Sequence, residues 1–597
     1  MHYLPDIRSL VPRTAAALLL ALSATLLPWS SAQAQVGASC PAKTVSWKNV
    51  FTGKTCGGAL VSTSSGQTVT VSNTLAGVSG WAKLKCLNGA WGTPSTYSCT
   101  ASTSTSTTTI TSTTTSGAPS TTVPTFTAPV VDPAEVAAAR LLEQATFGPT
   151  AAEIARIRQI GIANWINGQL LMPETAIVDG GDSADAVRDA WFITMASAPD
   201  QLRQRTIFAL SQILVVSSDK NPTGRELTPW LKSLSKHAFG NYGDLLRDMI
   251  RNPSMGKYLG LGHSKAPAPN EDFAREVMQL FTIGLVELNM DGSPRLDSAG
   301  KSIPTYDQGR IKEFSRALSG WGFAKGYEDM SAPLVAREQY HDRRAKTLLN
   351  GVTLPAGQSA AQDLDAVVNN LMQHPNVAPF IAVRLIRHFV TSNPSRAYIQ
   401  RVATVFKQSH SNLAATLKAV LLDVEARETS SASGGGHLKD PVLHTLSLVR
   451  ALGGQVISAR NVFWDYQLMG QRLAQAPSVF SYYSPMNPLP GDGTYFGPEF
   501  QLYSGSHAVR RANFVLALLD GSLTGAMNVD LTPFVQVAGD SQALMQLVER
   551  TLLQGRLSSA TRQTIGEAVF KGSSDMRQRA LTALYLTAVT GEYVVQK

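Results

Sequence analysis

Two adjacent charged residues, Arg275 and Glu276, lie in the middle of an otherwise apolar stretch, NEDFAREVMQLFTIG, which spans Asn270–Gly284. The apolar residues of this stretch recur at helical spacing, which predicts an amphipathic helix with one face in a core. Asn270 is a suitable N-cap and Gly284 a suitable terminator. Charges in an apolar setting are costly unless they are paired. The pair therefore indicates either a structural ion-pair network or a functional site.

His341 and Asp342, with Lys346 close by in sequence, provide further groups that can move protons. A carboxyl group in an apolar setting can have a raised pKa and act as an acid or a base, and histidine titrates near neutral pH. One hypothesis is a hydrolase in which Glu276 is the base, His341 the acid or a metal ligand, and Asp342 the group that orients His341.

The alternative role of Glu276 is structural. In that interpretation it pairs with an arginine of a neighbouring helix, such as Arg205 or Arg316, and fixes the packing. The sequence contains no HExxH, acidic-loop or paired-cysteine motif of the kind that holds zinc or calcium, and no phosphate-binding loop. We therefore predict neither a metal nor a cofactor.

The composition is that of a globular protein, with 44% hydrophobic and 16% charged residues. The formal net charge is +9, but lysine and arginine are spread along the chain without a dense run. Aromatic residues do not interleave with a basic stripe, so nothing indicates nucleic-acid binding. A basic surface is compatible with an anionic polysaccharide or lipid as partner.

The first 34 residues are typical of a secretory signal peptide. Arg8 and Arg13 form a positive n-region, Thr14–Leu27 an apolar h-region, and Ala32-Gln33-Ala34 a small-residue cleavage site. No later stretch is long and apolar enough for a transmembrane helix. We expect the mature protein to be extracytoplasmic: periplasmic, on the cell surface or secreted.

Residues 35–99 are predicted to form a small module held together by two disulfides. The chain has four cysteines, and all of them lie here: Cys40, Cys56, Cys86 and Cys99. In an exported chain such a cluster indicates a β-rich module too small to be stable through its core alone. Three tryptophans of the module, Trp47, Trp81 and Trp91, are candidates for polymer binding, and the alternative is that they form its core.

Beyond the cysteines the character of the chain changes twice. Residues 100–131 are rich in threonine, serine and then proline, which predicts an extended, O-glycosylatable linker. From Asp132 to the last residue, 597, helical patterns follow one another and strand-like runs are few. We expect a mainly α fold in this large multi-helix domain, with two lobes that meet at a glycine-rich break near residues 430–438.

Several phrases of this helical domain, taken in order, resemble an exported bacterial family catalogued as domain of unknown function 1800. They include ARLLEQATFGPT, LRQRTIFALSQILVVS, NEDFAREVMQLFTIG, HPNVAPFIAVRLIRHFV, KDPVLHTLSLVRALG and APSVFSYYSP. The resemblance covers about residues 136–597 and implies a fold class and export, without a reaction. Because members are often encoded beside sulfatase-like exported proteins, it also suggests such a protein as a partner.

Two departures from the family pattern concern candidate chemistry. Many members carry Trp-His-Asn-His where this chain has Leu210, Ser211, Gln212 and Ile213, so any metal bound by those histidines is not expected here. Members commonly have glutamate where this chain has Gln279.

The small module has a resemblance of its own. Its end, CLNGAWGTPSTYSC, is loosely similar to the end of a sushi-type module. That resemblance implies the pairs Cys40–Cys86 and Cys56–Cys99, whereas the sequence alone leaves three pairings open.

Two functional hypotheses follow. The first is an exported binding or assembly factor that acts on a surface polymer or a partner protein through the small module. The second is an extracytoplasmic hydrolase centred on Glu276 and His341. The missing histidine pair favours the first.

Overall fold

The computed structural model describes residues 39–48, 55–65, 67–76, 78–87, 90–91, 96–101, 123–428, 435–458 and 468–597. The predicted signal peptide, most of the linker and part of the expected break near residue 430 lie outside the described residues. The chain divides into two compact units, Met1–Ser120 and Thr121–Lys597.

The first unit is a small β module. Its described strands are β1 (Lys43–Lys48), β2 (Thr55–Leu60), β3 (Thr68–Ser72), β4 (Val78–Leu87), β5 (Ala90–Trp91) and β6 (Thr96–Ala101). β1 pairs with β2, and the long β4 pairs with β3, β5 and β6, all antiparallel. Alternate residues of β4 point inwards, as expected for a half-buried strand: Ala82 and Leu84 pack with Leu60 and Val71 in a small core.

A disulfide joins Cys40 to Cys86, with a Cα–Cα distance of 5.8 Å. This is the first of the two pairs implied by the resemblance to a sushi-type module. Cys56 is also disulfide-bonded. The side chain of Cys99 lies outside the described residues. The module is therefore cross-linked, as its small core requires.

The second unit is helical, which confirms the predicted mainly α fold. Its described helices are α1 (Pro133–Ala145), α2 (Ala151–Ile160), α3 (Ile162–Leu171), α4 (Ala184–Ser197), α5 (Gln201–Ser211), α6 (Gly224–His237), α7 (Tyr242–Arg251), α8 (Pro253–Tyr258), α9 (Asp272–Gln279), α10 (Gln308–Ala317), α11 (Ala360–Met372), α12 (Val377–Phe389), α13 (Arg396–Gln408), α14 (Leu413–Leu422), α15 (Val424–Arg427), α16 (Pro441–Ala451), α17 (Gly505–Asp520), α18 (Thr532–Val537), α19 (Ser541–Leu553), α20 (Ser559–Lys571), α21 (Met576–Ala588) and α22 (Gly591–Val594).

Short strands pair between the helices, all antiparallel. They are β7 (Trp321–Gly322) with β8 (Val335–Ala336), β9 (Lys346–Thr347) with β10 (Thr353–Leu354), β11 (His437–Leu438) with β16 (Val595–Gln596), β12 (Gln455–Val456) with β15 (Met527–Asn528), and β13 (Pro488–Leu489) with β14 (Asp492–Phe496). Single 3-10 turns lie at Leu261–His263, Glu338–Tyr340, Leu349–Gly351 and Pro498–Leu502.

Side-chain caps fix many helix starts. Asn252 accepts hydrogen bonds from the backbone N–H groups of Ser254 and Met255 at the start of α8. Ser359 and Gln362 form a reciprocal capping box at the start of α11. These caps satisfy N–H groups that have no partner within their own helix.

One hydrophobic core runs through the large unit, from Phe126 to Val594. It includes residues on both sides of the expected break near residue 430, so the helical domain is a single packed body there. None of the helices in the described part of the chain is both long and apolar enough to cross a membrane.

Residues 123–131, which the sequence places in the linker, belong to this body. Phe126 is only 4% exposed. Its backbone N–H donates to Gln563 of α20, and Thr127 exchanges hydrogen bonds with Gln542 of α19. The ring of Phe126 lies so close to Gly566 that a Cβ there would be 2.3 Å from it. Only glycine leaves room for this contact.

Candidate functional site

The helix that carries Arg275 and Glu276 forms as predicted but is shorter. It is α9, and the backbone continues beyond it in turns to Gly284, which has the left-handed φ of +72°. Asn270 accepts a hydrogen bond from the N–H of Asp272 at 2.7 Å. Arg275 lies on the partly exposed side of the helix and pairs with Glu271 and Asp272 of its own turn at 3.4 and 3.3 Å.

Glu276 is half-buried and makes no ion pair with any described residue. Its Oε2 is buried and, among the described residues, has no hydrogen-bond partner. Burial raises the pKa of this carboxyl group, and the charge of Arg275 only partly opposes the effect. The nearby Tyr306 and Tyr258 have pKa values raised to about 12, mainly by burial. Glu276 and these phenols form a small titratable cluster.

The arginines suggested as structural partners of Glu276 bind elsewhere. Arg316 contacts Asp342 at 2.9 Å and Glu313 at 2.7 Å. Arg205 donates from a terminal guanidinium nitrogen to the backbone oxygen of His388 at 2.7 Å. The suggested pairing of Glu276 with either arginine is therefore wrong.

His341 is fully buried, and both of its ring nitrogens are occupied. Nδ1 lies 2.9 Å from the backbone oxygen of Ser319, and Nε2 lies 3.0 Å from Oδ2 of Asp363. The same Oδ2 receives the buried ammonium group of Lys346 at 2.7 Å. The backbone reaches this position through Gly320, where φ is +83° and a Cβ would lie 2.8 Å from His341.

The hydrolase hypothesis requires Asp342 to orient His341. Asp342 lies in the same loop, but it makes no hydrogen bond to the histidine ring. It pairs with Arg316 and Arg344, and its N–H donates to the hydroxyl of Ser319 at 2.9 Å. Burial would raise the pKa of Asp342, but hydrogen bonds from Arg344 and Arg316 outweigh burial and hold it well below the usual value. Ser319 and Asp363 orient the histidine instead.

The structure therefore does not join the four candidate residues into one constellation. No hydrogen bond or ion pair among the described residues links Glu276 or Arg275 to His341 or Asp342. At the two positions where the sequence resemblance implies histidines, this chain has Ser211 and Ile213, and Ile213 is 1% exposed. In the described part of the chain, no group of histidine, cysteine or acidic residues has the geometry to hold a metal ion.

A second set of buried titratable residues surrounds Glu499, and no motif in the sequence indicates it. Glu499 is 5% exposed, and its two oxygens lie 3.5 Å from Nδ1 of His437 and 3.5 Å from the hydroxyl of Ser392. Burial raises the pKa of Glu499 to about 8, and the charge of Asp440 adds to the effect. Burial, followed by the charge of Arg205, lowers the pKa of His437 to about 3.

Next to this set, α12 presents three basic side chains on one face. Arg384, Arg387 and His388 are spaced i, i+3 and i+4, so they are neighbours on the helix surface, and each is half-buried. Burial, then Arg205 and Arg384, lower the pKa of His388 to about 3. The imidazole is therefore neutral at neutral pH and lies in the field of several guanidinium groups. We call Arg205, Arg384, Arg387 and His388 the His388 cluster.

The sequence carried a partial signal for this cluster. In RLIRHF, three basic residues interrupt an apolar helix at i, i+3 and i+4 spacing. Arg205 and His437 come from stretches far away in sequence, so their approach depends on the tertiary fold.

The described part of the large unit has an open cleft of about 950 Å³. It lies between the start of α6, the start of α8 and residues 328–333. Among the charged residues on its walls the acidic ones outnumber the basic ones, and several are already paired: Lys257, for example, contacts both Glu226 and Glu328 at 2.8 and 2.7 Å.

In the small module, the three tryptophans have different settings. Trp81 is 40% exposed on β4, with the ammonium of Lys83 5.8 Å from its ring centre. Trp91 is half-buried, and its indole N–H donates to the backbone oxygen of Pro41 at 2.8 Å. The side chain of Trp47 lies outside the described residues.

Comparison with known proteins identifies the large unit. No curated protein and no solved structure matches the chain. A family model described as protein of unknown function (DUF1800) matches residues 140–595, which is more than three quarters of the chain and agrees with the resemblance seen in the sequence. The chain belongs to the DUF1800 family.

Proposed function

We propose that this DUF1800 protein is an extracytoplasmic binding or assembly factor whose small module attaches to an anionic surface polysaccharide. The observation that carries the proposal is the exposed face of β3 and β4. On β4, Trp81, Lys83 and Lys85 point outwards and alternate with buried residues. A tryptophan beside two lysines offers a sugar ring an apolar platform and its acidic substituents a positive field.

The opposing strand gives this face small polar residues. The register places Ser72 opposite Trp81, Thr70 opposite Lys83 and Thr68 opposite Lys85. All three residues of β3 are exposed. The face therefore has no bulky side chain on β3 that would separate a polymer from the indole ring.

The charge of the module supports an anionic ligand. Residues 35–99 contain five lysines and no aspartate or glutamate. The module therefore attracts polyanions as a whole, and this attraction weakens with salt. The threonine-rich segment that follows would allow the module to reach a polymer at some distance from the helical domain. A sulfatase-like partner stays a prediction from the family resemblance.

Cosedimentation of the full-length protein with insoluble polygalacturonate, and with uncharged cellulose as the comparison polymer, tests the proposal. We expect retention by polygalacturonate that falls as NaCl rises. Trp81→Ala should weaken it about tenfold, the equivalent of about 1.4 kcal/mol. Lys43→Gln, which changes an exposed lysine on β1, is the matched control and should retain most binding. Equal retention of Trp81→Ala and the wild type, or binding to neither polymer, would refute the proposal.

A second candidate function is a hydrolase that uses Glu276. The unpartnered, desolvated carboxyl group beside Tyr306 and Tyr258 favours an acid or base role. His341 is not suited to share it, because both of its ring nitrogens are occupied. Glu276→Gln should keep the melting temperature and abolish hydrolysis of a polymer that the wild type degrades. Loss of the fold in this variant would assign Glu276 a structural role.

A further inference from the structure

We propose that the His388 cluster is a binding site for an oxyanion, the carboxylate or phosphate group of a small ligand, held by the guanidinium groups of Arg384, Arg205 and Arg387 beside the imidazole of His388. This site lies in the helical domain and is independent of the polymer contact proposed for the small module.

Arg384 is the least satisfied member of the cluster. Within the described part of the chain its guanidinium group makes no hydrogen bond and no ion pair, and its central carbon lies 4.5 Å from the ring centre of Phe380. His388, one turn further along α12, likewise makes no side-chain hydrogen bond to a described residue. Both side chains are half-buried, so they are reachable from solvent while being largely withdrawn from it.

The two other arginines bond to neutral groups. Arg387 donates to the backbone oxygens of Ser392 and Pro485 at 3.0 and 2.9 Å. Arg205 is 1% exposed, donates to the His388 backbone oxygen, and leaves its Nε without a partner among the described residues. None of the three arginines has a carboxylate within ion-pair distance in the described residues.

The acidic residues that face the cluster from other elements neutralise it only in part. Glu499 has a pKa of about 8 because of its burial, so it is mostly uncharged at neutral pH. Asp440 accepts hydrogen bonds from the N–H of Leu443 and from Gln471, and its charge acts on Arg205 alone among the three arginines, without an ion pair. The arginine pKa values, lowered by burial to about 10, still leave all three charged at neutral pH. Burying a charged group costs free energy unless an opposite charge pairs with it, and a bound anion would supply that charge here.

The chemistry of the donors defines the ligand. Guanidinium groups present planar pairs of N–H donors that match carboxylate and phosphate oxygens. The neutral imidazole of His388 can add one N–H donor or accept a proton from the ligand. A ligand with a compact, singly or doubly charged oxyanion fits this set.

Isothermal titration of the full-length protein with inorganic phosphate and, separately, with citrate tests the site, with NaCl at matched ionic strength as the reference. We expect saturable binding of at least one of the two. Arg384→Gln should weaken anion binding at least tenfold, because the guanidinium group of Arg384 has no polar partner in the described part of the protein and is therefore available to the anion. The control Arg396→Gln changes an exposed arginine of α13 and should leave it unchanged.

An NMR pH titration of His388, assigned with His388→Gln, gives a second readout. A bound anion beside the ring should raise the pKa of His388 from about 3, whereas added NaCl should not. Binding of phosphate alone would assign the ligand a phosphate group, and binding of citrate alone a carboxylate. The inference is overturned if neither anion saturates, or if Arg384→Gln binds as the wild type does.

Discussion

His341 and His388 both lie among charged residues in the same helical body, but their surroundings differ. His341 and Lys346 both contact Oδ2 of Asp363, so each of the three side chains has a partner of complementary charge or polarity, and within the described residues only Oδ1 of Asp363 is left without a hydrogen bond. His388 lies near three guanidinium groups that have no carboxylate partner among the described residues. Buried charges that pair with one another, as around His341, hold a loop in place. Buried positive charges without a carboxylate partner, as around His388, are typical of a site that binds an anionic ligand.

The largest effect should come from breaking the network around His341. Asp363→Asn removes the charge that Lys346 and His341 share and leaves a buried ammonium group unpaired. We expect a loss of about 3–5 kcal/mol in the free energy of unfolding. Urea denaturation followed by circular dichroism measures it.

The matched control is Asp365→Asn on the same helix. Its carboxylate is 60% exposed and pairs with Arg247 at the surface, so the loss should stay below about 1 kcal/mol. Equal effects of the two substitutions would contradict the description of Asp363 as a buried structural partner.

An effect of intermediate size is expected from Glu499→Gln, which should change how the stability of the protein depends on pH. The native pKa of Glu499, about 8, lies above the unfolded value of about 4.3. The native state therefore holds a proton that the unfolded state releases, and stability falls as pH rises towards 8. His388 and His437, with native pKa values of about 3, act in the opposite sense below pH ~6.5.

Between pH ~6.5 and ~7.5 these histidines no longer contribute, and Lys439, whose pKa burial lowers to about 8, still holds most of its proton, so the contribution of Glu499 is measured best in this window. Melting temperatures measured across this window should fall for the wild type and stay nearly level for Glu499→Gln. A parallel decline in both proteins would mean that Glu499 is already ionised in the native state.

The smallest effect on stability should come from Arg384→Gln. Because this guanidinium group has no hydrogen bond or ion pair to a described residue, its loss should change the free energy of unfolding by less than about 1 kcal/mol. Thermal unfolding without added anions measures it. A loss as large as that of Asp363→Asn would place Arg384 among the structural charges and remove the contrast between the two histidines.

Much of the fold could be predicted from the sequence because local patterns determine it. The stretch around Glu276 has helical spacing and forms a helix, but the N-cap residue is Glu271, one position after the predicted Asn270. The cysteines indicated a cross-linked β module, and the Cys40–Cys86 bond is present. Phe126 was assigned to the linker because proline and threonine surround it, and no local pattern reveals that its ring packs against Gly566.

The candidate site was predicted less well, for a physical reason. His341 carries the residue type of a catalytic acid, but its role depends on Asp363 and Ser319, which approach only in the folded chain. The sequence does show that Arg384, Arg387 and His388 share a helix face. It does not show that Arg205, from α5, donates to the end of that helix.

The close contact between the Phe126 ring and Gly566 affects how a force on the chain reaches the helical body. A pull on the chain ahead of residue 123 first meets a short anchored segment, in which Val123 packs against the core, Pro124 accepts a hydrogen bond from Gln563 and Phe126 is buried. The load then passes into α20 and, through Gln542, into α19, before it reaches α1. We therefore expect such a pull to be resisted by the Phe126 contact before it disturbs the start of α1 at Pro133.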